Sequence, residues 1–179
     1  DYQRSLDFAR RAAAVDPSFA EAQTDAAIVL LNLGDGLAAD GDLDGAGKDY
    51  QDALDVARKL AAGNPSSAFD ARFVSVAEGR LGDLKFRQGD QVGARHAYED
   101  NVAASRKAVA ANPSDAAGQR DLTVDLNKLG TVQLLQGDVA GARATFDESL
   151  ALSRKIVAAD PSSGLAQRDL SVTLTEHGE

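Results

Sequence analysis

The chain has 179 residues, 44% of them apolar and 26% charged, which is enough apolar side chain to fold and too much for a disordered tract. Twenty-eight acids against 19 bases leave a net charge of −9, which disfavours nucleic acid or an anionic membrane as the main partner. Cysteine is absent, so disulfides and thiol chemistry are excluded, and the longest apolar run, Ala26 to Leu31, is far short of the ~20 residues of a membrane span. No signal peptide is visible at Asp1, and no methionine occurs, so the segment is expected to be a fragment or a processed product. The compartment is not fixed by these features; the cytoplasm is the default expectation. Charge is uneven: residues 16–63 carry ten acids against Lys48, Arg58 and Lys59, whereas residues 64–111 are nearly balanced.

In chain order the elements repeat with a period of 48 residues, as Asp16-Pro17-Ser18, Asn64-Pro65-Ser66, Asn112-Pro113-Ser114 and Asp160-Pro161-Ser162 show. Residues 1–15 read as a second helix without its partner. Units 16–63, 64–111 and 112–159 each read as two helices, and 160–179 as a first helix without its partner. Pro-Ser opens each first helix, the Ser hydroxyl offering a cap, with Ser18 and Glu21 forming a capping box. The Gly of Gly41-Asp42, Gly89-Asp90 and Gly137-Asp138 stops that helix in a left-handed conformation, and the Asp caps the second. Val139, Ala142, Phe146, Leu150 and Val157 fall on one face of a second helix; Leu122, Leu126, Leu129 and Val132 do so on its partner. Connections of three or four residues make each pair antiparallel, and one pair alone cannot bury its stripe, so neighbours must stack.

Further columns keep the step: Leu33-Gly34, Leu81-Gly82 and Leu129-Gly130; Ala46, Ala94 and Ala142; Tyr2, Tyr50, Tyr98 and Phe146; then Arg10-Arg11, Arg58-Lys59, Arg106-Lys107 and Arg154-Lys155. From Gly34 the small Ala46 lies twelve on, the aromatic Tyr50 sixteen on and Ala53 nineteen on. This resembles the tetratricopeptide repeat, which implies an all-α fold, a right-handed α-solenoid of antiparallel helix pairs with about seven helices. The period is 48 rather than 34, adding about two turns to each helix. The family tryptophan is replaced by Leu30, Glu78 and Leu126, and the second small position becomes Asn101 and Ser149. The phrases QRDLTVDLNKLG and LLQGDVAGARATF resemble long-repeat arrays of bacterial multidomain signalling proteins.

The resemblance implies a protein-binding scaffold whose first helices line a concave groove. Residues just before Leu-Gly would point into it: Leu31 and Asn32, Gly79 and Arg80, Asn127 and Lys128. Asp35, Asp83 and Thr131 follow just past the Gly, with Thr24, Arg72, Arg120 and Arg168 a heptad upstream. The expected partner site is Asn32, Arg72, Arg80, Asp83, Arg120, Asn127, Lys128 and Thr131, whose cations suit an acidic peptide or a carboxylate terminus. The competing reading pairs these residues with Asp121, Asp125, Asp169 and Glu78. Rival functions are a structural spacer, self-association end to end through unpaired terminal helices, and a regulatory segment of a larger signalling enzyme. No catalysis, metal or cofactor is expected. Asp40 to Gly45 matches half a calcium loop, yet its twelfth position is the neutral Gln51, and His96 and His177 stand 81 residues apart. The Arg-Lys ladder reads as dipole complementation or salt bridging rather than an anion track.

Overall fold

In the computed structural model, residues 20–178 are described, together with Arg11. The described residues are all-helical, without strands, in seven helices: α1 (Ala20–Asp40), α2 (Leu43–Gly63), α3 (Ala68–Arg87), α4 (Gln91–Ala111), α5 (Ala116–Leu135), α6 (Val139–Ala159) and α7 (Gly164–His177). Each helix packs on the next in chain order. The connections are too short for any other course than reversal. Of the expected helix over 1–15 only Arg11 is described; Tyr2, Arg10 and Ser18 of the capping box lie outside the described residues.

Helix ends follow local chemistry. Gly41, Gly89 and Gly137 adopt φ of 89°, 79° and 80°, the left-handed stop that a side chain would strain. Asp42, Asp90 and Asp138 then accept from the backbone N–H of Gly45, Gly93 and Gly141 at 2.9–3.0 Å, capping α2, α4 and α6. The first helices differ from expectation by one residue. Ser67, Asp115 and Ser163 are the caps, accepting from Asp70, Ala117 and Ala166 N–H. The Ser after Pro instead donates backwards: Ser66 to Asn64, Ser114 to Asn112 and Ser162 to Asp160. Proline and the serine after it form a turn before the helix, and the second residue after proline takes the extended cap conformation.

The Leu-Gly and aromatic columns belong to one contact. A Cβ built on Gly34 would lie 2.5 Å from Tyr50 Cε1, and one on Gly82 would lie 2.5 Å from Tyr98 Cε1. Gly130 meets Phe146 in the same way. The ring of each second helix thus lies directly on the backbone of its first helix, which only glycine allows.

Leu122, Leu126, Leu129 and Val132 are buried as expected, as are Ala142, Phe146 and Leu150. Val139 departs from that stripe and is 62% exposed, because it opens α6 at the rim of the stack. The aliphatic core is not continuous. One cluster joins α1, α2 and α3 through Ala27, Leu30, Leu54, Leu60 and Phe73; another joins α4 and α5 through Val102, Leu122, Leu126 and Leu129. Between α3, α4 and α5 the buried space is polar, filled by Ser75, Asn101, Ser105 and Asp125.

Candidate functional site: the face of the first helices

The helices α1, α3, α5 and α7 share a face, because side chains bridge each to the next. Arg80 on α3 reaches back to Asp35 on α1, with Nη2 donating to Oδ2 at 3.1 Å. Its Nε lies 2.8 Å from Asp35 Oδ1, an ion-pair distance too poorly aligned for a hydrogen bond. Lys128 on α5 reaches Asp83 on α3 at 2.7 Å. Arg72 donates to Asp121 at 2.7 Å, and Arg120 pairs with Asp169 on α7. The bridge is thus the same side-chain pair, moved one unit along.

Each of two carboxylates is also held by the neighbouring second helix. Tyr50 donates to Asp35 at 2.7 Å and Tyr98 to Asp83 at 2.9 Å. Burial, together with the adjacent carboxylate, pushes both phenols well above their ordinary value. They remain neutral donors at any physiological pH. The third unit lacks the whole arrangement: Phe146 replaces the tyrosine and Thr131 the aspartate, and Thr131 donates to Asn127 O instead.

All eight expected partner-site residues are described, and the structure brings most of them together on this face. Arg80, Asp83, Asn127, Lys128 and Thr131 line adjoining depressions, and Asn32 is exposed on α1. Their chemistry differs from the expectation in one respect: Arg72, Arg80, Arg120 and Lys128 are each matched to a carboxylate of the array. The pairing foreseen with Asp121 and Asp169 forms, whereas Lys128 takes Asp83 and Arg80 takes Asp35. Glu78 is buried and pairs with Arg58. The Arg-Lys column accordingly makes inter-helix ion pairs, Arg58 with Glu78 and Arg106 with Glu148, rather than serving the last helical turn.

Three depressions run along the face and share walls. The first, about 520 Å³, lies over Asp35, Tyr50, Arg80, Phe86 and Tyr98. The second, about 370 Å³, contains Tyr98, Val124, Asn127, Lys128 and Val172. The third, about 290 Å³, contains Arg72, Ser75, Val76, Val124 and Asp125. Asp125 forms part of its floor and is only 9% exposed. Burial raises its pKa; the Ser105 hydroxyl, the neighbouring Asn101 amide and Lys128 oppose the shift, and Asp121 adds to it.

A feature of this face escapes a search for polar ligands. Ile28, Val76, Val124 and Val172 are 41%, 37%, 45% and 50% exposed, and they occupy one column at the 48-residue step. The signal was present in the sequence, since the same β-branched column recurs in every first helix. It hides among apolar residues that are buried.

No protein-family model matches the chain, and no curated protein matches it. Solved structures do. The crystal structure of BtubC (BKLC) from P. vanneervenii is 19% identical, with a TM-score of 0.50 over 99% of this chain and 79% of that one. A filament named DHF79 aligns at 15% identity and TM-score 0.40, covering 97% and 96%. The crystal structure of the de novo designed helical repeat protein DHR64 aligns at 13% identity and TM-score 0.38, covering 98% and 91%. The likeness to BtubC is a likeness of fold. Among the described residues no helix is long and apolar enough to cross a membrane.

Proposed function

We propose that the chain is a non-catalytic scaffold, a long-helix array of the tetratricopeptide type, that receives a peptide or partner protein on the face of α1, α3, α5 and α7. The observation that carries this reading is the exposed aliphatic column Ile28, Val76, Val124 and Val172 beside adjoining depressions. Exposed β-branched residues give a helix nothing: alanine, glutamate or lysine would serve it better by a few tenths of a kcal/mol each. One solvent-facing valine is ordinary; the same kind of residue in four successive units forms a stripe of the sort that marks contact surfaces. The cations expected to recruit an acidic peptide are already paired, so an anionic partner would have to displace Asp35, Asp83, Asp121 or Asp169. The aliphatic column therefore takes the central place.

Selection of displayed random peptides against the array tests this reading. Enriched peptides should lose binding to a Val76→Asp, Val124→Asp variant and keep it with Asp55→Lys on α2, both variants retaining helical circular dichroism. Peptides that bind the two variants equally would locate recognition elsewhere and remove the first-helix face from the claim.

A further inference from the structure

We infer that the partner received on this face brings a lysine to the third depression, its ammonium meeting the carboxylate of Asp125 and its stem lying along Val76 and Val124. This inference rests on the scaffold reading and adds the chemistry of one partner side chain.

The charge balance comes first. Asp35, Asp83, Asp121 and Asp125 are the carboxylates that line the three depressions. Arg80 pairs with Asp35, Lys128 with Asp83 and Arg72 with Asp121. Asp125 has no ion pair among the described residues, although Arg72, Arg80 and Lys128 line the same depression. With the three pairs cancelled, the charge left there is the single negative charge of Asp125. An anion is repelled by it, and a cation complements it. The frame does not require a carboxylate at this column, since Val29, Ala77 and Thr173 stand at the same position of the other units.

Hydrogen bonding narrows the choice of cation. Ser105 donates to Oδ2 of Asp125, and Ser75 lies 3.4 Å from the same oxygen. Asn101 Nδ2 stands near the carboxylate without good alignment. Oδ1 thus receives no aligned hydrogen bond from the described residues. An ammonium is a compact point charge that needs one such oxygen, whereas a guanidinium forks across two.

Burial strengthens the contact. Asp125 is 9% exposed, and folding has already taken its carboxylate out of water, so an arriving ammonium loses only its own hydration. The walls suit the rest of a lysine. Val76 from α3 and Val124 from α5 both line the depression, whose volume of about 290 Å³ has room for one long side chain. A lysine stem covers apolar surface of this kind while its tip carries the charge.

Titration with Nα-acetyl-lysine methylamide, followed through the valine methyl resonances, provides the test. The norleucine, arginine and glutamate methylamides are the controls. The lysine amide should shift the Val76 and Val124 methyls and bind about tenfold tighter than the norleucine amide, which lacks only the ammonium. It should also bind tighter than the arginine and glutamate amides. Asp125→Asn, which keeps the shape without the charge, should reduce lysine to the norleucine level. The lysine advantage should also be lost on acidification, as pH falls through the folded value of Asp125, which burial sets above 3.8. Equal binding of the norleucine, arginine or glutamate amide would overturn this inference, as would a lysine advantage that survives Asp125→Asn. The absence of any shift at these methyls would overturn it too. In each case the display selection decides the scaffold reading on its own.

Discussion

The junction of α1, α2 and α3 and the junction of α3, α4 and α5 are built on the same columns with opposite chemistry. In the first, Ala27, Ala53, Ala57 and Ala77 meet, all fully buried. In the second, 48 residues on, stand Ser75, Asn101, Ser105 and Asp125. Ser75 donates to Asn101 Oδ1 at 2.8 Å, Ser105 donates to Asp125, and the two hydroxyl oxygens lie in contact at 2.5 Å. The third junction, Thr123, Ser149, Ser153 and Thr173, keeps hydroxyls and drops the charge and the amide. The helical frame tolerates all three because size is exchanged across the gap. A Cβ built on Gly79 would lie 3.0 Å from Asn101 Nδ2, so the asparagine fits against a bare backbone. The matching pair in the first junction is Leu31 with Ala53, and in the third Asn127 with Ser149. The frame is set by volume; the buried chemistry is free to vary only as a group.

Transplanting one member alone should break the comparison most severely. Ala53→Asn places an amide against Leu31 with no hydroxyl partners at Ala27 or Ala57. Overpacking plus an unpaired buried polar group should cost about 3–4 kcal/mol in urea unfolding. Adding Leu31→Gly should relieve the overpacking share and leave the rest, a non-additive cycle. Additive losses would mean that the two positions do not face each other.

Removing a partner from the polar junction should be the next largest effect. Ser105 is 3% exposed and gives Asp125 a shorter hydrogen bond than Ser75 does at 3.4 Å, so Ser105→Ala leaves a buried carboxylate short of a donor and should cost about 2 kcal/mol at pH 7. Nδ2 of Asn101 lies near enough to Asp125 to lower its pKa but makes no well-aligned hydrogen bond. A loss below about 0.5 kcal/mol would show that water supplies what the serine did.

Charge itself comes third. Burial raises the folded-state pKa of Asp125 above 3.8, so the folded chain holds that proton more tightly than the unfolded one. Its favourable contribution is complete below the unfolded value and is lost as pH rises through the folded value. Asp125→Asn keeps the shape without the charge. It should gain about 1 kcal/mol on the parent at pH 7, and the gain should shrink as pH falls toward 4. A gain that grew on acidification would contradict the sign. Capping groups such as the half-buried Asp138 and the exposed Asp160, held below the ordinary value by hydrogen bonds, slope the other way. They cancel in the difference between variant and parent.

Much of this frame was legible in the sequence. The glycine stops, the aspartate caps of the second helices and the Leu-Gly to aromatic contact all depend on residues within one unit, where spacing fixes geometry. The departures from the tetratricopeptide pattern were legible as departures: Glu78, Asn101 and Ser149 each prove to be buried polar positions. The matching of the cations was legible only in part. Arg72 with Asp121 follows the competing reading, whereas Lys128 with Asp83 joins residues 45 apart, and nothing local separates a free cation from a matched one. The cap lies one residue beyond Pro-Ser, at Ser67, Asp115 and Ser163, because each of these can cap a helix as well as the serine before it. The aliphatic column was passed over because apolar residues on an amphipathic helix are read as core.

The smallest expected effect sharpens the comparison further, because it repeats a substitution and changes only the column's company. Ser153 occupies the column of Ser105 and is as well buried, but it faces a hydroxyl, Thr173 Oγ1 at 3.2 Å, where Ser105 faces a carboxylate. Thr173 does not depend on it, since its hydroxyl donates to Asp169 O at 3.0 Å. Ser153→Ala therefore leaves no group unpaired and introduces the residue that the first junction already carries at Ala57. Stability should change by less than about 0.5 kcal/mol, against about 2 kcal/mol for Ser105→Ala. Equal losses at the two sites would mean that serine is kept for its volume in both, and that the carboxylate of Asp125 draws its support from elsewhere.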